Sequence, residues 1–292
     1  MRDDGADLVL TRGLARVLGE PHAGTDGRHR DEPSPFVDGD LVGAVGAVCV
    51  VARLRPDCGA PGVSAIHKAP VDGPVAVNAL GLLGDQQADR EHHGGLDKAL
   101  YVMDAAEARH WAGVLGPEHG LAAGNMGENM LIEPGAIGGI DDVEIGAILS
   151  IGPGSAQGRG SERSIGEAEG PIPPGEPGED SPRRGILVTV TGVRNPCSTF
   201  ARGMGRGDWA EVFSERARVG VYLSVLRDGS VSAGDEVRVV STPGHRVTCH
   251  RWFAHHDPRD ARAMLASEAF GNLRLADFTR KYVVAAADEQ VG

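Results

Sequence analysis

Apolar residues recur along this chain mostly in short runs bounded by Gly, Asp and Pro, a pattern that marks strands rather than helices. Six runs stand out: AVGAVCVVARL from Ala44, GPVAVNALGL from Gly73, EIGAILSIG from Glu144, ILVTVTGV from Ile186, VYLSVLRDG from Val221 and DEVRVVST from Asp235. A different spacing, with apolar positions three and four apart, runs through LDKALYVMDAAEARHWAGVL and predicts one long amphipathic helix over Leu96–Leu115. Near the C-terminus, DPRDARAMLASEAF and NLRLADFTRKYV predict two shorter helices. The first would be capped by Asp257, with Pro258 in the first helical position.

Two segments carry no sustained apolar period. Residues 1–41 mix charge, Gly and Pro and are expected to form a disordered extension, and the Gly- and Pro-rich stretch 152–185 is expected to be a flexible insertion. The domain organisation that follows is a β-rich domain over 42–252, interrupted by that insertion, and a helical segment over 253–292. Strands broken by helices, without regular βα alternation, predict a mainly β fold with helices (α+β), an irregular β-barrel rather than a doubly wound sheet.

Composition narrows the function classes. No apolar run in the 292 residues approaches the roughly 20 needed to span a bilayer, so no membrane segment is expected. The opening MRDDGADLVLTRG lacks the basic-then-apolar order of a secretory signal, which makes the cytoplasm the expected compartment. Lys and Arg number 29 against 41 Asp and Glu, a net charge of −12 that argues against a broad nucleic-acid surface but leaves room for a local basic pocket. The four cysteines show neither a C-x-x-C pair nor zinc spacing, so each stands alone. Cys49 lies in an apolar run and reads as core, while Cys58 and Cys249 have no chemically suggestive neighbours.

Three polar clusters carry the candidate chemistry. The densest, GLLGDQQADREHHGGLDKALY, runs from Gly81 to Tyr101 just ahead of the predicted helix. A helix N-terminus offers free N–H groups to an anion, and Gly94 and Gly95 permit close backbone approach; the same residues also make an ordinary loop capped by Asp97. His92 and His93 are adjacent and would point apart, which weakens a metal site there. In the second cluster, GNMGENMLIEPG, Glu128 and Asn129 follow Gly127, a pattern that serves a polar ligand or simply a tight turn into a strand. In the third, TGVRNPCSTF, Arg194 precedes Cys197 closely. A nearby guanidinium favours the thiolate, the form that acts as nucleophile or soft metal ligand, although an inert thiol remains the alternative.

The three clusters in this order, followed by RVGVYLSVLRDGSVSAGDEVRVV, resemble the MOSC domain family, and HKAPVDGPVAVNALGLLGDQQADREHHGGLDKALY resembles its bacterial YiiM-like branch. The resemblance covers about Val42 to Val284 apart from the insertion. It implies a MOSC-type β-barrel of the pyruvate-kinase-barrel kind that binds molybdenum cofactor, and a molybdenum-dependent reduction of N-hydroxylated or N-oxygenated small molecules. By the same resemblance Cys197 would be the metal ligand and catalytic. By that match Lys68, His93, Lys98, Asn129 and Arg194 would line the cofactor pocket; His93 would donate to an oxo group, move a proton or serve to orient the ligand, and Gly94, Gly95 and Glu128, read from their own clusters, join the candidate cofactor-binding residues. Asp85 and Asp89 are expected to brace the loop, since carboxylates would repel a phosphate. The C-terminal segment is short beside the three-helix appendage of some relatives. With no ferredoxin-type cysteine set, electrons would come from a separate reductase. A homodimer stays open. So do two other functions: cysteine-based sulfur transfer or carbon–sulfur bond cleavage at Cys197, and non-catalytic carriage of the cofactor.

Overall fold

The computed structural model describes residues 33–59, 62–89, 94–116, 121–154 and 183–289. Its strands are β1 (Leu41–Val51), β2 (Arg55–Pro56), β3 (Val63–Ser64), β4 (Lys68–Pro70), β5 (Val75–Asn78), β6 (Gly81–Leu82), β7 (Leu100–Asp104), β8 (Met130–Pro134), β9 (Ile148–Gly152), β10 (Ile186–Val193), β11 (Val221–Arg227), β12 (Gly229–Val231) and β13 (Glu236–Ser241). The α-helices are α1 (Ala105–Leu115), α2 (Ser198–Gly203), α3 (Trp209–Glu215), α4 (Cys249–His255), α5 (Pro258–Ala269) and α6 (Asp277–Ala287).

Seven strands close into a barrel in the order β13–β9–β10–β11–β7–β8–β1, with β1 returning to β13. All neighbours are antiparallel except β7 and β8. Closure depends on β1, which pairs with β13 at its start, β8 along its middle and β4 at its end. Register shifts at Leu41/Gly43 and Val45/Ala47 bend it through these three partners. A Cβ on Gly43 would lie 2.1 Å from the Glu133 carbonyl oxygen, so only glycine lets β1 approach β8 at that bend. Val42, Val45, Val48, Leu100, Val102, Ile132, Leu149, Val188, Val190 and Val237 are among the residues that fill the interior. The six predicted strand runs all carry strands of this fold, and β10 has the bounds of its run.

The long helix expected over Leu96–Leu115 is corrected. Leu96–Lys98 forms a single 3-10 turn, Leu100–Asp104 is strand β7, and the α-helix begins only at Ala105. The run LYVM satisfies both periodicities, and a slot between β11 and β8 that buries all five residues of β7 decides for the strand. Three helices, not two, follow the barrel. Asp257 caps α5 as expected, accepting from the Arg259 N–H at 2.7 Å, while α4 is a short addition capped by Thr248. Helix α6 is fixed to the barrel by Thr279, which donates to the Thr191 carbonyl at 2.8 Å, and the chain just before it by the Arg274–Asp97 ion pair at 2.6 Å.

Residues 33–40, expected to be part of a disordered extension, pack on the barrel: Phe36 is buried and the Ser34 N–H donates to the Arg246 carbonyl at 3.0 Å. The expectation for residues 1–32 lies outside the described residues. So does most of the expected insertion, residues 155–182, but its two ends meet where Ile151 of β9 pairs with Ile186 of β10. No helix among the described residues is long and apolar enough to cross a membrane.

Candidate functional site

A cleft of about 130 Å³ opens where β7 begins and β10 ends. Strand β10 delivers Arg194, Asn195 and Cys197 in the four residues after Val193, and Cys197 stands just before the short helix α2 without a side-chain hydrogen bond to it. The 3-10 turn delivers Lys98, β7 contributes Tyr101, and β11 places Tyr222 directly across from Tyr101, their ring centres 5.7 Å apart. Lys68 at the start of β4, Asn129 before β8 and the loop Asp85–Asp89 also line it, as do Asp57, Ser64, Ile66 and Thr199.

The cations of this cleft differ in their surroundings. Lys68 is buried against Asp85 in an ion pair, and Asp85 also accepts from the Asn129 amide at 2.7 Å and the Val51 N–H at 2.8 Å. Asn129 in turn accepts from the Tyr101 N–H at 3.0 Å. Lys68 and Asn129 thus reach the cleft as parts of a framework centred on Asp85, whose bracing role was expected. Arg194 has no carboxylate within ion-pair distance among the described residues. It is buried, donates to the Tyr101 hydroxyl at 3.3 Å, and stacks its guanidinium on Phe200 at 3.6 Å and over Tyr101 at 4.7 Å. Burial works against its charge, but Tyr101, Tyr222 and Cys197 outweigh it and raise its pKa. Burial likewise pushes the Tyr222 hydroxyl up to about 12 and Tyr101 higher still, so both stay neutral donors or acceptors at the cleft wall.

Lys98 is held by aromatic rings, 4.5 Å from the Phe278 centroid and 5.5 Å from that of Tyr222. Its pKa is lowered, first by burial and then by Lys281, against the opposing pull of Asp89, Cys197 and Asp97. Its electrostatic coupling to Cys197, shared by Arg194, puts the thiol at a cationic end of the cleft.

Other expected residues fall elsewhere. Glu128 is fully buried and accepts from the Gly124 and Met126 N–H groups, so its carboxyl serves the turn before β8 and does not line the cleft; burial raises its pKa. Gly94 and Gly95 pack on Gln87, which accepts from the Gly95 N–H at 2.9 Å. A single 3-10 turn follows them in place of the expected long α-helix, because β7 intervenes before α1. His93 lies outside the described residues. Cys49 and Cys249 are buried thiols, Cys49 pushed up to about 12 mainly by burial, and Cys58 is exposed. Sequence reading missed Tyr101, Tyr222 and Phe278. Tyr101 was hidden in the predicted helix, Tyr222 reaches the cleft only through β11 pairing, and Phe278 reaches Lys98 only through the docking of α6.

The MOSC domain family matches residues 89–238, and the chain belongs to that family. It is similar to Protein YiiM of Escherichia coli (strain K12), 29% identical over 182 residues that make up 61% of this chain and 64% of that protein. A protein named Reductase from Gibberella moniliformis is 26% identical over 184 residues, covering 62% of this chain and 26% of its own length. The chain therefore spans less than two thirds of each of these two relatives. The crystal structure of YiiM from Geobacillus stearothermophilus shares the fold, with a TM-score of 0.54 at 20% identity over 83% of this chain and 98% of that one.

Proposed function

We propose that this chain is a molybdenum-cofactor-binding oxidoreductase that reduces N-hydroxylated or N-oxygenated small molecules, with Cys197 as the protein ligand to the metal. The observation that carries the reading is the buried guanidinium of Arg194, with no carboxylate within ion-pair distance among the described residues, beside a partly accessible thiol. A buried cation of this kind costs several kcal/mol unless an anion joins it, and a cofactor phosphate is such an anion. The donor set fits the cofactor: a soft thiol at one end and two cations near it. Among the described residues no group of three or more His, Cys, Asp or Glu is disposed to hold a metal, so the remaining ligands would come from the cofactor itself. MOSC membership and the fungal relative's name support the same class.

When bound, the cofactor supplies two-electron oxygen-removal chemistry. The overall change takes two electrons and two protons and converts N–OH to N–H with release of water. Arg194 and Lys98 bind the anionic part, aromatic rings pack on both cations, and the Lys68–Asp85–Asn129 framework forms a further part of the wall. In this reading His93 carries a proton to the departing oxygen. Electrons come from a separate reductase.

Metal analysis of protein from a host that makes molybdenum cofactor tests this reading. We expect near-stoichiometric molybdenum in wild type, a large loss in Cys197→Ser, and turnover of hydroxylamines by loaded wild type with an external reductant. No molybdenum in either protein, under conditions that load a known relative, overturns it. Sulfane sulfur on Cys197 would then indicate sulfur transfer or carbon–sulfur cleavage, and tight molybdenum binding without turnover would indicate a carrier.

A further inference from the structure

The cleft does not end at Cys197. Asp57, Ser64, Ile66 and Thr199 line it and also line a second hollow of about 350 Å³, so the two are arms of one groove. Thr199 stands two residues beyond Cys197, and the outer arm continues from it to Arg55, His67 and Cys58.

The charges of this outer arm do not cancel. Arg202 is neutralised by Asp57 through two bonds of 2.7 Å. Arg55 donates to His67 Nε2 at 3.1 Å, and because a guanidinium has no acceptor, that nitrogen must accept and the imidazole is neutral. Burial, followed by Arg55 and Arg53, holds the His67 pKa below its ordinary value, in keeping with that assignment. Neither Arg53 nor Arg55 has a carboxylate within ion-pair distance among the described residues. A chain of net charge −12 thus places the guanidinium of Arg55, with no carboxylate at ion-pair distance, in the outer arm of the groove that leads to Cys197, with Arg53 near enough to act on His67.

We propose that the outer arm is a subsite for a compact anionic group, a carboxylate or phosphate carried by the molecule that reacts at Cys197. Arg55 supplies the planar fork that such a group accepts, His67 fixes the guanidinium from one side, and Arg53 adds long-range attraction. The substrate is then a small N-oxygenated acid whose nitrogen points inward and whose charge points outward. This assignment of the two ends rests on the reading of Cys197 given above; the anion preference of the arm does not.

Cys58 is exposed within the arm and reports on it directly. Its alkylation in the full chain is compared with anionic iodoacetate and neutral iodoacetamide at low salt, resolved from Cys197 by peptide mass mapping. The ratio of the two rates cancels changes in the thiol's own reactivity. We expect that ratio to exceed that of Arg55→Gln by about threefold, to fall in high salt, and to persist in Arg55→Lys. Inorganic phosphate or benzoate should slow iodoacetamide in wild type but not in Arg55→Gln, and the better protector distinguishes a phosphate-bearing from a carboxylate-bearing ligand. Equal ratios in wild type and Arg55→Gln, with no protection by either anion, overturn the subsite. Since the assay needs no metal, a missing molybdenum would sink the proposed reaction and leave this result standing.

Discussion

The guanidinium carbon of Arg194 lies 3.6 Å from the centre of the Phe200 ring. Arg194 leaves the end of β10 and Phe200 sits on α2, so this stack ties the strand that supplies the cation to the helix that follows Cys197. Behind it, Phe213 meets Phe200 edge to face at 5.0 Å, and Trp209 and Trp111 extend the aromatic wall.

Phe200→Leu removes the ring face and leaves aliphatic packing. We expect a loss of about 1–2 kcal/mol in urea unfolding and a clear fall in molybdenum content, since the guanidinium loses its orientation. Loss of stability with full molybdenum content would show that Phe200 only packs.

Lys68 and Asp85 form a pair whose side chains are 8% and 7% exposed. Asp85→Asn keeps an acceptor for the Val51 N–H but leaves the ammonium without its counter-charge, and should cost about 3–5 kcal/mol. Adding Lys68→Met should recover part of that loss in chemical denaturation. Equal stability of the single and double variants would mean that the charge of Lys68 is met from another source.

Asp104 gives the molecule a pH-dependent stability. Burial raises its pKa from the ordinary 3.8 to about 7, with Asp142 adding to the rise and Arg218 opposing it, and its neighbour Asp141 is raised as well. The folded protein therefore holds a proton that the unfolded chain releases above pH 3.8. This contribution is complete below pH 3.8, declines as pH rises, and is gone above about 7. Asp104→Asn cannot titrate, so its unfolding free energy should decline less between pH 4 and 7 than that of wild type, as thermal melts across that range would show.

Gly43→Ala should destabilise by about 1–3 kcal/mol or more, because the new methyl meets the Glu133 carbonyl and β1 cannot bend away without losing pairs to β8 or β13. Hydrogen exchange should quicken in β1 and β8 first. An unchanged midpoint would mean that the barrel yields at this bend.

Short apolar runs bounded by Gly, Asp and Pro were enough to place five of the seven barrel strands, β1, β9, β10, β11 and β13, because a strand buried on one or both faces imposes its composition locally. The cap of α5 was legible for the same reason: Asp257 and Pro258 act on their own helix end. The linear order of Arg194, Asn195 and Cys197 likewise sets the thiol close to its cation along the chain itself. What only the tertiary structure decided were matters of partner. LYVM became a strand because β11 and β8 left a slot for it, not through any change in its own pattern. Lys68 and Arg194 were both candidate cofactor-binding cations along the chain, yet folding set a carboxylate in contact with Lys68 and aromatic rings against the guanidinium of Arg194. Phe278 joined the site from 80 residues beyond Ser198, through the docking of α6 on β10. Local chemistry is written residue by residue, whereas the compensation of a charge depends on which distant side chain the closed barrel brings beside it.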